Sequence, residues 1–157
     1  MRIREIQSLD IECACELLLA MLKEMNSLGG HPVAEGAQAP EWLHARIVSS
    51  LDDSEHLLLL AESEESEHRV IGIIEMSVSS PHPVFKPERL MHIHSIYVES
   101  DFRRRGAALK LMEAALRWGK DQACEAVELN ALAQSPARRL YEKLGFRAFQ
   151  LEMRRSL

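Results

Sequence analysis

Three cysteines, Cys13, Cys15 and Cys124, are too few and too poorly spaced for a covalent framework. Their number is odd, no Cys-x-x-Cys pair occurs, and Cys13 and Cys15 fall two apart in a helical pattern, pointing away from each other. Disulfides and a zinc site are therefore disfavoured, and free thiols fit a reducing, cytoplasmic setting. No apolar stretch approaches the roughly 18 residues that span a bilayer. Residues 1–20 carry Arg4, Glu5, Asp10, Glu12 and Glu16 where a signal peptide needs a clean apolar run. The sequence thus predicts a soluble protein without a membrane partner. A positive excess is missing too: 19 Lys plus Arg against 24 Asp plus Glu leave a net charge of −5, which argues against a general nucleic-acid surface. No repeat, low-complexity tract or linker divides the chain. Neither Gly-x-x-x-x-Gly-Lys-Ser/Thr nor Gly-x-Gly-x-x-Gly occurs, so the two familiar phosphate motifs are absent.

What is present is a globular composition, 46% hydrophobic and 27% charged, over 157 residues. That length predicts a single domain, residues 1–157, able to bury about two thirds of its unfolded surface. Residues 3–7 read as a strand, and Ser8 or Asp10 can cap the helix that follows. Its apolar face comprises Ile11, Ala14, Leu18, Met21, Leu22 and Met25. Residues 26–40, rich in Gly and Pro, form a loop, and 41–51 a second helix with Trp42, Ala45, Val48 and Leu51 aligned. The continuous apolar run at 56–61 predicts a strand buried on both faces, followed by a solvated acidic tip at 62–67. Strands at 69–79 and 90–98 flank a loop at 81–87. A helix over 106–119 and a strand over 125–130 come next. Ser135 and Pro136 start a last helix, Gly145 ends it, and 146–153 reads as a final strand. This order implies an α+β domain with a mixed, mostly antiparallel sheet. The crossover from 90–98 to 125–130 is parallel and right-handed.

Between the strand ending at Val98 and the helix opened by Gly106 lies Arg103-Arg104-Arg105-Gly106-Ala107-Ala108. A helix N-terminus offers free N–H groups and a positive dipole end. Gly106 and Ala108 let a bulky diphosphate approach the backbone, and the arginines add positive charge. A solvated arginine run is the competing reading. On the strand itself, the apolar positions Ile93, Ile96 and Val98 include an odd step, which a β-bulge near His94 and Ser95 would absorb. His92 and His94, two apart, present imidazoles with an ordinary pKa of about 6.5, suited to taking a proton from an amine. Ordinary strand histidines, or a metal pair without an evident third ligand, are the alternatives. Glu75 is a further candidate, as base or as cation-binding carboxylate, against a solvent-facing place beside Met76 and Val78.

Arg103-x-x-Gly106-x-Ala108 resembles the diphosphate loop of the GNAT acetyltransferases. Ala137-Arg138-Arg139-Leu140-Tyr141-Glu142-Lys143-Leu144-Gly145-Phe146 resembles their Asn-x-x-Ala-x-x-Leu-Tyr-x-x-x-Gly-Phe segment. The two signatures stand in the family's order over residues 56–153, with Gln134 where the family has Asn. The resemblance implies a GNAT fold whose sheet splays between the strands around 90–98 and 125–130. Acetyl-CoA would be the co-substrate, with no metal. Ile96, Tyr97 and Val98 would lie along its arm, Arg103 through Ala108 around its diphosphate, and Gln134 and Ala137 beside it. His92 falls where many family members carry a catalytic Glu. The His92-x-His94 strand is similar to that of arylalkylamine N-acetyltransferases, in which two histidines relay the amine's proton through water. Tyr141 matches the acid that protonates the leaving thiolate, against a role as a packing aromatic beside Leu140 and Leu144. The implied activity is acetyl transfer to a primary amine of a small molecule in a ternary complex, and homodimers are common in the family. The alternatives are a protein or peptide N-acetyltransferase and a non-catalytic acyl-CoA-binding module. Trp42, Tyr97 and the 81–87 loop are candidate substrate contacts.

Overall fold

The structure, a computed structural model, describes residues 1–34, 36–65, 68–80, 84 and 87–155. Five strands form one sheet in chain order: β1 Arg2–Glu5, β2 His56–Glu62, β3 Val70–Ser79, β4 Leu90–Val98 and β5 Ala126–Leu129. The first four are antiparallel neighbours, and β5 runs parallel to β4. Helices α1 Ile11–Ser27 and α2 Gln38–Ser50 precede β2, α3 Ala107–Asp121 links β4 to β5, and α4 Arg138–Lys143 follows. No helix of the described residues is long and apolar enough to cross a membrane.

The sheet is covered on both faces. Ala107, Leu111, Met112 and Ala115 of α3 pack on Leu59, Ala61, Met76, Met91 and Ile93. Ala14, Leu17 and Leu18 of α1 and Leu43 and Ile47 of α2 pack on Leu58, Leu60 and Ile73. The unbroken apolar run of β2 is thereby explained: its alternate residues feed two different layers, as expected. Burying each such Leu or Ile contributes about 1.5–3 kcal/mol. Gly72 of β3 allows the close approach of β4, because a Cβ there would meet the Tyr97 carbonyl at 2.9 Å and Val98 Cγ2 at 3.1 Å.

Several expectations are corrected. The buried stripe of α2 is Leu43, Ile47 and Ser50, whereas Trp42, Ala45 and Val48 face solvent. The helix begins at Gln38, because Pro40 in a first turn lacks only an N–H that would be unpaired anyway. Met25 is exposed, and Cys15 and Leu17 take places in the α1 face instead. Asp10 stands at the α1 N-cap, yet its carboxylate bonds Arg4 at 2.6 and 2.8 Å and the Gln7 N–H at 2.8 Å. Glu62 belongs to β2 and is buried against Arg4 rather than solvated at the tip, while Ser66 and Glu67 of that tip lie outside the described residues. Most of the 81–87 loop likewise lies outside them.

Residues 146–153 form no strand. Their alternation is present in sequence, but Phe149, Leu151 and Met153 are 71%, 80% and 85% exposed. β5, four residues long, pairs only with β4. Without a partner edge, alternation alone does not make a strand.

Candidate active site

Strand β4 carries the expected bulge. Glu75 lies opposite Ser95 and Met76 opposite Ile93, so His94 is the extra residue. On its other side β4 meets β5 only from Leu90↔Ala126 to Ile93↔Leu129. Beyond the bulge, from His94 to Val98, no described strand lies across from that edge. Pairing of β4 with β5 therefore stops at the bulge, and about 13 Å of β4 backbone is open to an added partner.

The open edge leads to the N-terminus of α3. Gly106 is its N-cap, with φ +86°, a left-handed conformation that favours glycine, and a Cβ there would meet nothing within 4 Å. Arg104 is also left-handed, at φ 60°. The Lys110 N–H closes the first helical bond onto the Gly106 carbonyl at 3.0 Å. The N–H groups from Arg104 to Leu109 ahead of it have no partner among the described residues, as at any helix start. An open cleft of about 210 Å³ lies here, lined by Val98, Arg103, Arg104, Gly106, Ala107, Ala108, Leu109 and Leu140. Ile96, Tyr97, Arg105, Gln134 and Ala137 are not in its lining. Leu140 ties the cleft to the helix of Tyr141. Leu109 and Leu140 were not singled out from sequence as lining, since only packing brings α4 beside α3.

The three arginines differ. The Arg103 guanidinium donates to Glu24 of α1 at 2.9 and 2.5 Å, its Nε donates to the Val98 carbonyl at 2.8 Å, and its plane stacks over Tyr97 at 5.4 Å. It is a strut between α1 and the loop, not a free cation. Arg105 approaches Glu65 at 3.4 Å and Phe102 at 5.5 Å. Arg104 makes no ion pair among the described residues and is the loop's available charge.

At the bulge, polar side chains from four elements meet on the face covered by α1 and α2. The His92 and His94 rings are 4.9 Å apart, so the His-x-His pair does share one side. His94 Nε2 and Ser77 Oγ are 2.7 Å apart, and the His56 ring is 6.0 Å from that of His94. Glu75 is 1% exposed, a correction to the solvent-facing alternative. Its Oε1 lies 2.6 Å from the Arg46 guanidinium and 3.0 Å from His56 Nε2, whereas its Oε2 has no partner among the described residues. Burial pushes the Glu75 carboxyl up. The His56 hydrogen bond and the charges of Arg46, His56 and His94 outweigh it and hold the group below the usual range. The His94 imidazole, short of full hydration although one edge faces solvent, is pushed down to about 4, with Glu75 pulling the other way. Sequence reading did not single out Arg46, His56 or Ser77. One signal was available for Glu75: a lone carboxylate inside the apolar run Ile73-Ile74-Glu75-Met76 needs a buried partner.

Tyr141 is 9% exposed, packs edge-on against Phe146 with rings 6.1 Å apart, and lies in the core layer under α3. Burial pushes its phenol up, so the group keeps its proton through the neutral range. Its hydroxyl makes no hydrogen bond among the described residues. Gly145, at φ +88°, ends α4 as expected, and the Phe146 N–H closes back onto the Tyr141 carbonyl at 3.0 Å.

Residues 19–146 match the model of the acetyltransferase (GNAT) family. The chain belongs to the GNAT family. Human N-acetyltransferase 8 is 32% identical over 84 residues, covering 53% of this chain and 36% of the human protein, so the match spans about a third of that relative's length. A mutant of a Bacillus halodurans protein superposes with a TM-score of 0.86 at 19% identity, covering 100% of this chain and 99% of that one. An aminoglycoside N-acetyltransferase solved with CoA gives 0.74 at 20% identity over 99% and 93% of the two chains. The same enzyme, solved with the bisubstrate analogue CoA-S-monomethyl-acetylneamine, gives 0.76 at 19% identity over 99% and 97%. At these identities the solved structures establish the GNAT fold.

Proposed function

We propose that this GNAT chain, one domain over residues 1–157, is an N-acetyltransferase that moves the acetyl group of acetyl-CoA to a primary amine of a small molecule. The observation that carries the reading is the continuity of three features. A base-bearing bulge on β4 runs into an open strand edge, which ends at a glycine-capped helix N-terminus. The fit to a CoA diphosphate rests on the N–H groups of the first turn of α3, the space above Gly106, and Arg104, which has no ion-pair partner among the described residues.

Acetyl-CoA, when bound, would supply the thioester that the amine attacks. The first turn of α3 would hold its diphosphate, and the open edge at Ile96 and Val98 would pair with its arm. A backbone N–H there would steady the negative charge developing on the carbonyl oxygen. His92 accepts the proton that the amine loses. His94, neutral at physiological pH, orients the path of that proton together with Ser77. Tyr141 donates its proton to the departing sulfur and recovers it from solvent. Trp42, exposed above Arg46 at 5.2 Å, is a candidate contact for an aromatic amine, in keeping with the similarity to arylalkylamine N-acetyltransferases. Three free cysteines favour a reducing, cytoplasmic setting.

Tyr141→Phe keeps the packing against Phe146 and removes the proton. The expected result is a fall in kcat of about 100-fold with CoA affinity unchanged. An unchanged kcat would remove Tyr141 from the reaction.

A further inference from the structure

The proposed amine deprotonation leaves a positive charge on the histidine pair in a partly dehydrated site. An imidazolium there needs a counter-charge, because a cation taken from water into a low-dielectric setting is stabilised only by a partner. Two carboxylates among the described residues stand at this cluster: half-buried Glu128, across from His92 on β5, and the enclosed Glu75. It stands on β3 opposite Ser95, next to the bulge that displaces His94, and two residues before Ser77, which bonds His94. Residues two apart on a strand share a face, so Glu75 and Ser77 look toward the same histidines.

The carboxylate is held in place but not saturated. Arg46 from α2 and His56 from β2 both contact Oε1, and Oε2 is buried without a partner among the described residues. A buried lone oxygen of a charged carboxylate is costly to leave unmet. Its presence in a 1%-exposed side chain points to an acceptor waiting for a donor. A purely structural Arg–Glu pair would use both oxygens in the fork geometry of a guanidinium. Here Arg46 and His56 share one oxygen and leave the other free.

We propose that Glu75 is a positioning residue of the acetyl transfer, its carboxylate fixed by Arg46 and His56 as the internal counter-charge for the imidazolium formed when the histidine pair takes the amine proton. The proposal rests on the acetyltransferase reading above, and it removes Glu75 from the candidate bases. A carboxylate already engaged by a guanidinium and an imidazole is a weak proton acceptor, whereas its field strengthens the histidines as acceptors. No bond is made or broken at Glu75. The proton stays on imidazole nitrogen until solvent removes it.

The charged and titratable groups facing the pair are Glu75 from β3, Arg46 from α2, His56 from β2, Glu128 from β5 beside His92, and the two histidines of β4 themselves. Their signs give opposite expectations for two substitutions. Glu75→Gln removes the negative charge and moves the His94 titration further down. Arg46→Gln removes the opposing cation and moves it up by about one to two pH units, the scale of one charge about 6–12 Å away at an effective dielectric near 20. Both are read from imidazole NMR signals of the ligand-free protein, which needs no acetyl transfer. In turnover, Glu75→Gln lowers kcat about 10- to 100-fold with the KM for acetyl-CoA unchanged, and Glu75→Asp restores part of it. If Glu75→Gln does not fold, Glu75→Asp decides the matter: it keeps the charge but draws it back by one methylene, and the His94 titration moves down by less than complete removal of the charge would bring. Histidine titrations unmoved by either substitution overturn the counter-charge role even if the wild type acetylates amines. Shifted titrations in a protein that acetylates nothing would instead overturn the acetyltransferase reading and leave the electrostatic coupling standing.

Discussion

Replacing Gly106 by Ala separates the fold of the diphosphate loop from its use. The residue sits at φ +86° with open space where a Cβ would go. The left-handed conformation costs an alanine about 1–2 kcal/mol. Loss of glycine's freedom in the unfolded chain returns about 0.4–1 kcal/mol. The net destabilisation is therefore about 1 kcal/mol, a fall in Tm of about 2–4 °C for a chain of this size. Because the new methyl projects into the cleft, it interferes with an anion at the first turn of α3. Weakening one charge-assisted N–H contact of about 1.5–3 kcal/mol lowers CoA affinity about 10- to 100-fold. Gly29→Ala is the control. It has φ +88° and equally open space, so it loses similar stability without affecting CoA. Calorimetric melting gives the first quantity and isothermal titration with CoA the second. A Gly106→Ala protein that melts lower yet binds CoA as the wild type does would refute the assignment of this loop to the diphosphate.

Two further expectations concern the struts around the site. Glu24→Gln breaks the paired contact with Arg103, but both side chains are 37% exposed, so the loss of stability is at most about 1 kcal/mol. CoA affinity does not fall, because Arg103 becomes free to face the cleft; a weakened affinity would show that the strut shapes the loop. Asp10, held below the usual carboxylate range chiefly by Arg4, contributes stability that is present above its unfolded pKa near 4 and lost as pH falls through its lower folded value. Asp10→Asn should therefore lower Tm at neutral pH by about 6 °C, from about 2 kcal/mol of charge-assisted hydrogen bonding, and flatten the acid side of the stability curve. Equal acid sensitivity in the two proteins would refute it.

Features that depend on local pattern were legible before the structure. The odd step from Ile93 to Ile96 announced the bulge, and the unbroken run of β2 announced two-sided burial. Gly106 and Gly145 marked helix ends, where only backbone conformation matters. What escaped was set by partners distant in sequence. Arg103 reads as a free cation until Glu24 folds against it, and Glu75 reads as a surface carboxylate until Arg46 and His56 enclose it. The α2 stripe was misassigned because Trp42 and Val48 are apolar yet stack or project outward, and the stripe through Leu43 and Ile47 is short. The unformed strand at 146–153 makes the same point, since alternation specifies a face but not the partner that would use it.

The central claim is most directly tested by thiol release from acetyl-CoA across a panel of arylalkylamines, polyamines, aminoglycosides, amino acids and short peptides, with the wild type and His92→Gln. The account expects release that depends on a small amine, with a turnover about 100-fold lower in His92→Gln and CoA binding retained. Release with peptides alone would contradict the substrate class. CoA binding without release for any amine would contradict the enzyme and leave a non-catalytic acyl-CoA-binding module.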